Sequence, residues 1–217
     1  NTRPLWTENV IGDWSVWLTD GQTQEPLEQP SIFTVWTTNL IGQNRLLWEP
    51  DYPLTPSARA AQTTFNPDTD SPIANCAPKG MPYIMEQPYP MQFIDQGEKI
   101  VLHLEEYDTL RTIYLDPDSA PNNPLIPRLG TSIGQWEGDV LVVHTTNINW
   151  THFDPTGIPI GPNIKTTERF TLSNNGDRLD YEVEVADPAT FTDTVILTSY
   201  WTRRAGVEVN PYECAAG

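Results

Sequence analysis

The sequence predicts an all-β protein, an antiparallel barrel with long Pro-rich loops and one short helix. Three observations lead there. Apolar residues recur along most of the chain with a period of two, the spacing of half-buried strands. Three consecutive stretches after residue 98 read as hairpins, each a pair of alternating runs around turn residues. The 21 prolines leave only one good helical pattern.

Near the N-terminus, "GDWSVWLTDG" (12–21) and "SIFTVWTTN" (31–39) are aromatic, β-branched runs between turn residues, as strands are. "LTPSARAAQTTF" (54–65) is the helix. Thr55 can cap it, Pro56 suits its first turn, and Ala58, Ala60 and Ala61 favour helical backbone. "APKGMPYIMEQPYPMQF" (77–93) is expected to run over the surface as an irregular or polyproline-like loop.

The first hairpin is "KIVLHLEEYDTLRTIYLD" (99–116). A two-residue turn at Asp108-Thr109 would pair Tyr107 with Leu110, Glu106 with Arg111, Leu104 with Ile113 and Leu102 with Leu115. Its inward face would then be apolar except for Glu106 opposite Arg111, while His103 would face outward. In the second hairpin (131–146), a turn at Gly138-Asp139 sets Trp136 against Leu141, Gly134 against Val143 and His144 against Ile133. The third (166–185) turns at Asn175-Gly176, the strongest short hairpin signal. That turn places Leu172 against Leu179, Phe170 against Tyr181 and Glu168 against Val183 on one face. Thr171–Asp180 and Arg169–Glu182 fall on the other, a solvated surface. "TVILTSYWTRR" (194–204) supplies a last strand. With no repeats and no boundary, residues 1–217 read as one domain, a barrel or sandwich.

Composition narrows the function classes. With 29 acidic against 12 basic residues the formal charge is −17, so no basic stripe for nucleic acid or an anionic membrane is expected. No apolar run approaches the roughly 20 residues of a membrane helix, so no membrane insertion is expected. The chain opens at Asn1 without a charged and apolar leader, as a mature periplasmic or secreted protein would. Cys76 and Cys214 both sit in loop-like surroundings and suit a disulfide tying the C-terminal tail to a long loop.

Several motifs are set aside on physical grounds. "GTSIG" (130–134) matches the serine-hydrolase elbow, but a strand rather than a helix follows Ser132, which reads as a turn or strand start. His103, His144 and His152 lack metal-ligand spacing, so no metal is expected. The sequon at Asn149-Trp150-Thr151 is a pattern only. The eight tryptophans could stack on sugars, but they more often fill a β core.

Gly12-Asp13-Trp14 on a first strand, with Arg203 and Arg204 after the last, resembles the lipocalin arrangement of a tryptophan packed under a C-terminal arginine. This favours a lipocalin-like barrel. "GMPYIMEQPYP", "EEYDTLRTIYLD", "SIGQWEGDVLVVHTTN", "ERF" and "VADP" resemble a family of exported bacterial proteins with no established activity, over roughly residues 52–214. That resemblance puts recurrent polar positions at Glu106, Tyr107, Arg111, Asp116, Glu137, Asp139, Glu168 and Arg169. The chain departs from the family pattern at Thr131, at Asp116-Pro117-Asp118 and at His144, where His, Asp-Gly-Arg and an acidic residue are usual.

The expected function is action on a small apolar or aromatic molecule in an interior pocket by acid–base chemistry without a cofactor, of lyase, isomerase or hydratase type. Glu106 and Glu168 would be the desolvated carboxylates and Arg111 the clamp for a carboxylate or oxyanion. Tyr107, Tyr114, Trp136, His144 and Tyr181 would line the ligand site. The alternatives are a non-catalytic lipocalin-like binding protein and an envelope or glycan-interaction protein. The oligomeric state is left open by the sequence.

Overall fold

The computed structural model describes residues 29–38, 51–204 and 206–214. Among these residues nine strands close into a barrel in sequence order. They are β1 (Val35–Thr38), β2 (Met91–Asp95), β3 (Lys99–Leu104), β4 (Thr109–Tyr114), β5 (Thr131–Glu137), β6 (Val140–Thr146), β7 (Lys165–Ser173), β8 (Arg178–Ala186) and β9 (Val195–Arg203). The all-β barrel expected from the sequence is the fold. The run at 12–21, including Trp14 and its expected packing under Arg203 or Arg204, lies outside the described residues. The helix α1 (Pro56–Thr64) has Thr55 as its cap, accepting from the Ala58 amide at 3.2 Å.

Neighbouring strands are antiparallel except at one seam. β4 and β5 run parallel, paired only through Ile113–Ser132 and Tyr114–Ile133. A tight turn cannot join parallel neighbours. Residues 115–130 therefore form a long crossing connection, with 3-10 turns at Pro117–Ser119 and Pro127–Leu129.

The second and third hairpins have the registers read from their turns, with Gly134 opposite Val143, His144 opposite Ile133 and Glu168 opposite Val183. The first does not. Leu104 pairs with Thr109, Leu102 with Arg111 and Ile100 with Ile113, because the chain turns through a longer loop, residues 105–108. Tyr107 (φ 57°) and Asp108 (φ 47°) adopt left-handed backbone there, a conformation such side chains seldom take. The Glu105 amide is held on the Pro90 carbonyl at 3.0 Å. Glu106 therefore sits in the loop and does not face Arg111. The slip is even, so every strand residue keeps its face, and Arg111 still points inward with Leu102 and Leu104.

Inside, the alternation of the strands assembles one continuous core. Phe170 lies at its centre, 5.1 Å from Phe93, 4.9 Å from Tyr181 and 6.4 Å from Trp201, ring centre to ring centre. The Pro-rich stretch contributes to this core, which corrects the expected surface loop. Its 3-10 turn Tyr83–Glu86 buries Ile84 and Met85, and Met81 and Met91 are buried on either side. Four prolines hide the segment from any periodicity, yet their fixed φ angles lower the entropy it loses on ordering. Gly80 makes the entry possible, since a Cβ there would come within 2.6 Å of the Trp150 ring.

If residues 77–93 are core, Ile84→Ala should cost about 2–5 kcal/mol in urea unfolding. A surface loop would change stability by no more than about 0.5 kcal/mol.

Candidate functional site

Two buried ion pairs concentrate the polar chemistry of the barrel, and they differ in kind. The first joins β4 to β7. Both oxygens of Glu168 accept from the Arg111 guanidinium in a two-point contact, Nη1 to Oε1 at 2.9 Å and Nη2 to Oε2. Nε donates to Ser132 Oγ at 3.1 Å, Nη2 to Thr145 Oγ1 at 2.8 Å, and Nη1 to the Met85 sulfur at 3.6 Å. Those contacts engage all five N–H groups that arginine has. The Tyr181 hydroxyl adds a 2.8 Å bond to Glu168 Oε1. Arg111 is 1% exposed and Glu168 0%.

Burial works against the Arg111 charge, but the adjoining Glu168 carboxylate outweighs it and holds the guanidinium above its ordinary value. Burial beside Glu168 likewise lifts Tyr181 well above the usual phenol range. The guanidinium offers no spare donor to a substrate, and the phenol is committed to the carboxylate. This network is a saturated lock.

The second pair lies where three segments converge. Lys79, on the chain leading into the buried turn, places Nζ 2.8 Å from Glu106 Oε1 and 4.8 Å from the centre of the Tyr83 ring. Arg128 braces this position, donating from Nε to the Lys79 carbonyl at 3.0 Å and from Nη2 to Thr109 Oγ1 at 3.1 Å. The tail, residues 206–214, crosses the loop 105–108. Its Asn210 amide donates to Glu105 Oε2 at 2.9 Å and its Tyr212 amide to the Asp108 carboxylate at 3.2 Å. The Tyr212 ring rests on Tyr89 and Tyr107, at 5.3 and 4.9 Å between centres. Cys76 and Cys214 are bonded, as expected from the sequence, with Cα atoms 5.9 Å apart. The bond closes a separation of 138 residues, worth about 5 kcal/mol on the chain-entropy account.

Glu106 is the unusual member. It is 5% exposed, and its Oε2 is buried with no hydrogen-bond partner among the described residues. Burial pushes its carboxyl above the ordinary range, and Lys79 offsets this only in part. Burial and nearby carboxylates also raise Tyr83. Tyr212 is pushed up to about 12, chiefly by burial. A buried carboxyl with one free oxygen holds its proton more tightly than an exposed one, and that oxygen can accept a donor from a bound molecule.

The three residues expected to act together are thus divided. Arg111 meets Glu168 inside the barrel, and Glu106 meets Lys79 at the convergence of loop and tail. Of the expected ligand-site residues, Tyr107 belongs to the tyrosine group under the tail and Tyr181 to the saturated lock. Tyr114 lies on the outward face of β4, against a shallow cavity of about 60 Å³ that also touches Leu110, Leu125 and Ile126. His144 is exposed and bonded to Thr167 at 3.1 Å. Trp136, 42% exposed, stands beside Phe33 at the far end of β5. Glu137 and Arg169 form an exposed pair at 3.1 Å. Among the described residues, no group of three or more His, Cys, Asp or Glu side chains is placed to hold a metal ion.

Lys79, Met85, Ser132 and Thr145 were not among the expected site residues. Ser132 and Thr145 were readable, because the register that pairs Gly134 with Val143 also pairs them on the same inward face. Nothing local marks Lys79 or Met85. No known protein-family model matches the chain, and no curated protein matches it.

Two stability measurements separate the pairs. Arg111→Met or Glu168→Leu alone should cost about 3–5 kcal/mol, because each leaves a buried group unpaired. The double variant should cost less than the sum by about 1 kcal/mol or more in urea unfolding. For Glu106, a carboxyl held above its ordinary 4.5 binds its proton more tightly when folded than unfolded. Its contribution is full below pH 4.5 and is lost as the pH rises through the raised folded value. Glu106→Gln should flatten the decline in stability that sets in as the pH rises above 4.5. An unchanged slope would assign that decline to another group.

Proposed function

We propose that this barrel is an exported protein that binds a small aromatic or apolar molecule at the Glu106 end. Glu106 is the group that exchanges a hydrogen bond or a proton with that molecule. The observation that carries the reading is the Glu106 carboxyl itself, with one oxygen on Lys79 and the other buried without a partner. Such an arrangement is unfavourable to folding by several kcal/mol in principle and is common where proteins meet ligands. The rings of Tyr83, Tyr89, Tyr107 and Tyr212 around it supply apolar walls with polar tips. The disulfide supports the exported reading, since such bonds persist in oxidising compartments. Among the described residues no helix is long and apolar enough to cross a membrane.

The site differs from the interior pocket that the sequence suggests, because aromatic rings fill the barrel centre. One observation favours a catalytic version of the same site. A carboxyl that burial shifts above its ordinary value, beside an ammonium, is equipped for proton transfer to and from a bound molecule, chemistry of the lyase or isomerase type. A pure binder would use the same carboxyl only to orient its ligand.

Ligand-observed NMR with benzyl alcohol, benzylammonium and phenylacetate tests the reading. At least one probe should bind saturably and perturb Tyr107 and Tyr212, and Tyr107→Ala should weaken it about tenfold, the loss of one aromatic contact. Binding by none of the three, or binding only beside Trp136, would remove this reading.

A further inference from the structure

Lys79 shows what the Glu106 end is built to hold. Its ammonium lies 2.8 Å from a carboxylate oxygen and 4.8 Å from the centre of an aromatic ring, with only 11% of the side chain exposed. Carboxylate and ring face are the two elements from which proteins assemble sites for organic cations. The structure occupies one half of such a site with its own side chain. The other half, Glu106 Oε2, is buried and faces no donor among the described residues.

From this geometry we infer that the natural ligand of the site is an organic cation, an aromatic or apolar molecule with an ammonium group whose N–H bonds to Glu106 Oε2. This inference rests on the proposed small-molecule site and names its ligand class. Three features separate a cation from the alternatives. An anion would meet a carboxylate oxygen at the point where the site lacks a donor. A neutral alcohol could donate to Oε2 but would gain little from the tyrosine faces or the surrounding charge. An ammonium gains from both.

The local charges favour it as well. Glu105 and Asp108 flank Glu106 on the same loop, and the chain carries a formal charge of −17, which raises the local concentration of small cations. Lys79 and Arg128 oppose a second cation, which limits affinity and makes Lys79 a competitor for the carboxylate. The tail packs over the same loop. Tyr212 rests on Tyr89 and Tyr107 while its backbone is held by an amide bond to Asp108 and, nearby, by the Asn210–Glu105 bond and the disulfide.

Calorimetric titration of the whole protein with benzylammonium, benzyl alcohol and phenylacetate tests the inference without any substitution. Benzylammonium should bind at least about tenfold more tightly than benzyl alcohol, and phenylacetate more weakly than either. Equal or tighter binding of the alcohol or the carboxylate overturns the cation assignment but leaves a small-molecule site standing. Failure of all three to bind overturns both. Two variants whose folding is first verified by circular dichroism locate the contact. Glu106→Gln should weaken benzylammonium about tenfold and leave benzyl alcohol nearly unchanged. Lys79→Met removes the internal competitor and should tighten benzylammonium. Unchanged or weaker binding in Lys79→Met, like cation binding indifferent to Glu106→Gln, overturns the contact.

Discussion

The Arg111–Glu168 pair ties the barrel together beside its one parallel seam, where backbone pairing is sparse. β4 and β5 share only two residue pairs across a parallel seam, whereas β5 and β6 share seven and β7 and β8 nine. Arg111 stands on β4 beside that seam and reaches across it. Its donors engage Ser132 on β5, Thr145 on β6 and Glu168 on β7, and Tyr181 on β8 completes the chain through the carboxylate. Five consecutive strands are thus linked by side chains around a seam of only two main-chain pairs. Ion pairs of this sort add little net stability against an apolar replacement, but they penalise wrong arrangements heavily, since each would strand a buried charge. In this chain the pair bridges the strands on both sides of the parallel seam.

The second ion pair answers a different need. Arg111 and Glu168 satisfy one another and their neighbours, and such a network has nothing left for a ligand. Lys79 and Glu106 form an incomplete counterpart: one oxygen is paired, the other is bare, and the carboxyl is raised by burial. Both sites present buried carboxylates to cations, and the number of donors reaching each oxygen decides which is structural. Glu168 receives three, counting the tyrosine, and Glu106 receives one.

Much of this was legible from the residues. Gly138-Asp139 and Asn175-Gly176 demand left-handed backbone at their turns and so fixed two hairpin registers correctly. The inward faces of Arg111 and Glu168 followed from strand alternation. Asp108-Thr109 is a weak turn signal, and the real loop depends on left-handed Tyr107 and Asp108, which no local preference announces. Glu106 was therefore placed in a strand it does not reach. Because the slip was by an even number of residues, the error left the faces intact and moved only the carboxyl at the tip. The burial of the Pro-rich segment is illegible for another reason. It depends on a gap between Arg128 and Trp150 that admits Gly80, a tertiary fact with no sequence period. The pairing of Arg111 with Glu168, 57 residues apart, exists only once the barrel has closed.

That closure also directs where chemistry can occur. A barrel whose centre holds Phe93, Phe170, Tyr181 and Trp201 in mutual contact has interior rings packed at the density of a core, and a ligand there would have to displace them. The ends are freer, because loop residues need not keep the alternation of the strands. At the Glu106 end the chain leaves β3 through right-handed helical backbone at Glu105, which takes Glu106 out of the strand ladder beside Lys79, and it returns to β4 through left-handed Tyr107 and Asp108. Had the turn been the two-residue kind, Glu106 would have faced Arg111 and competed with Glu168 for its donors. The longer loop keeps the two carboxylates on separate cations. One can then be fully satisfied while the other remains short of a donor, and that division allows a single small barrel to be both firmly closed and chemically unfinished at one end.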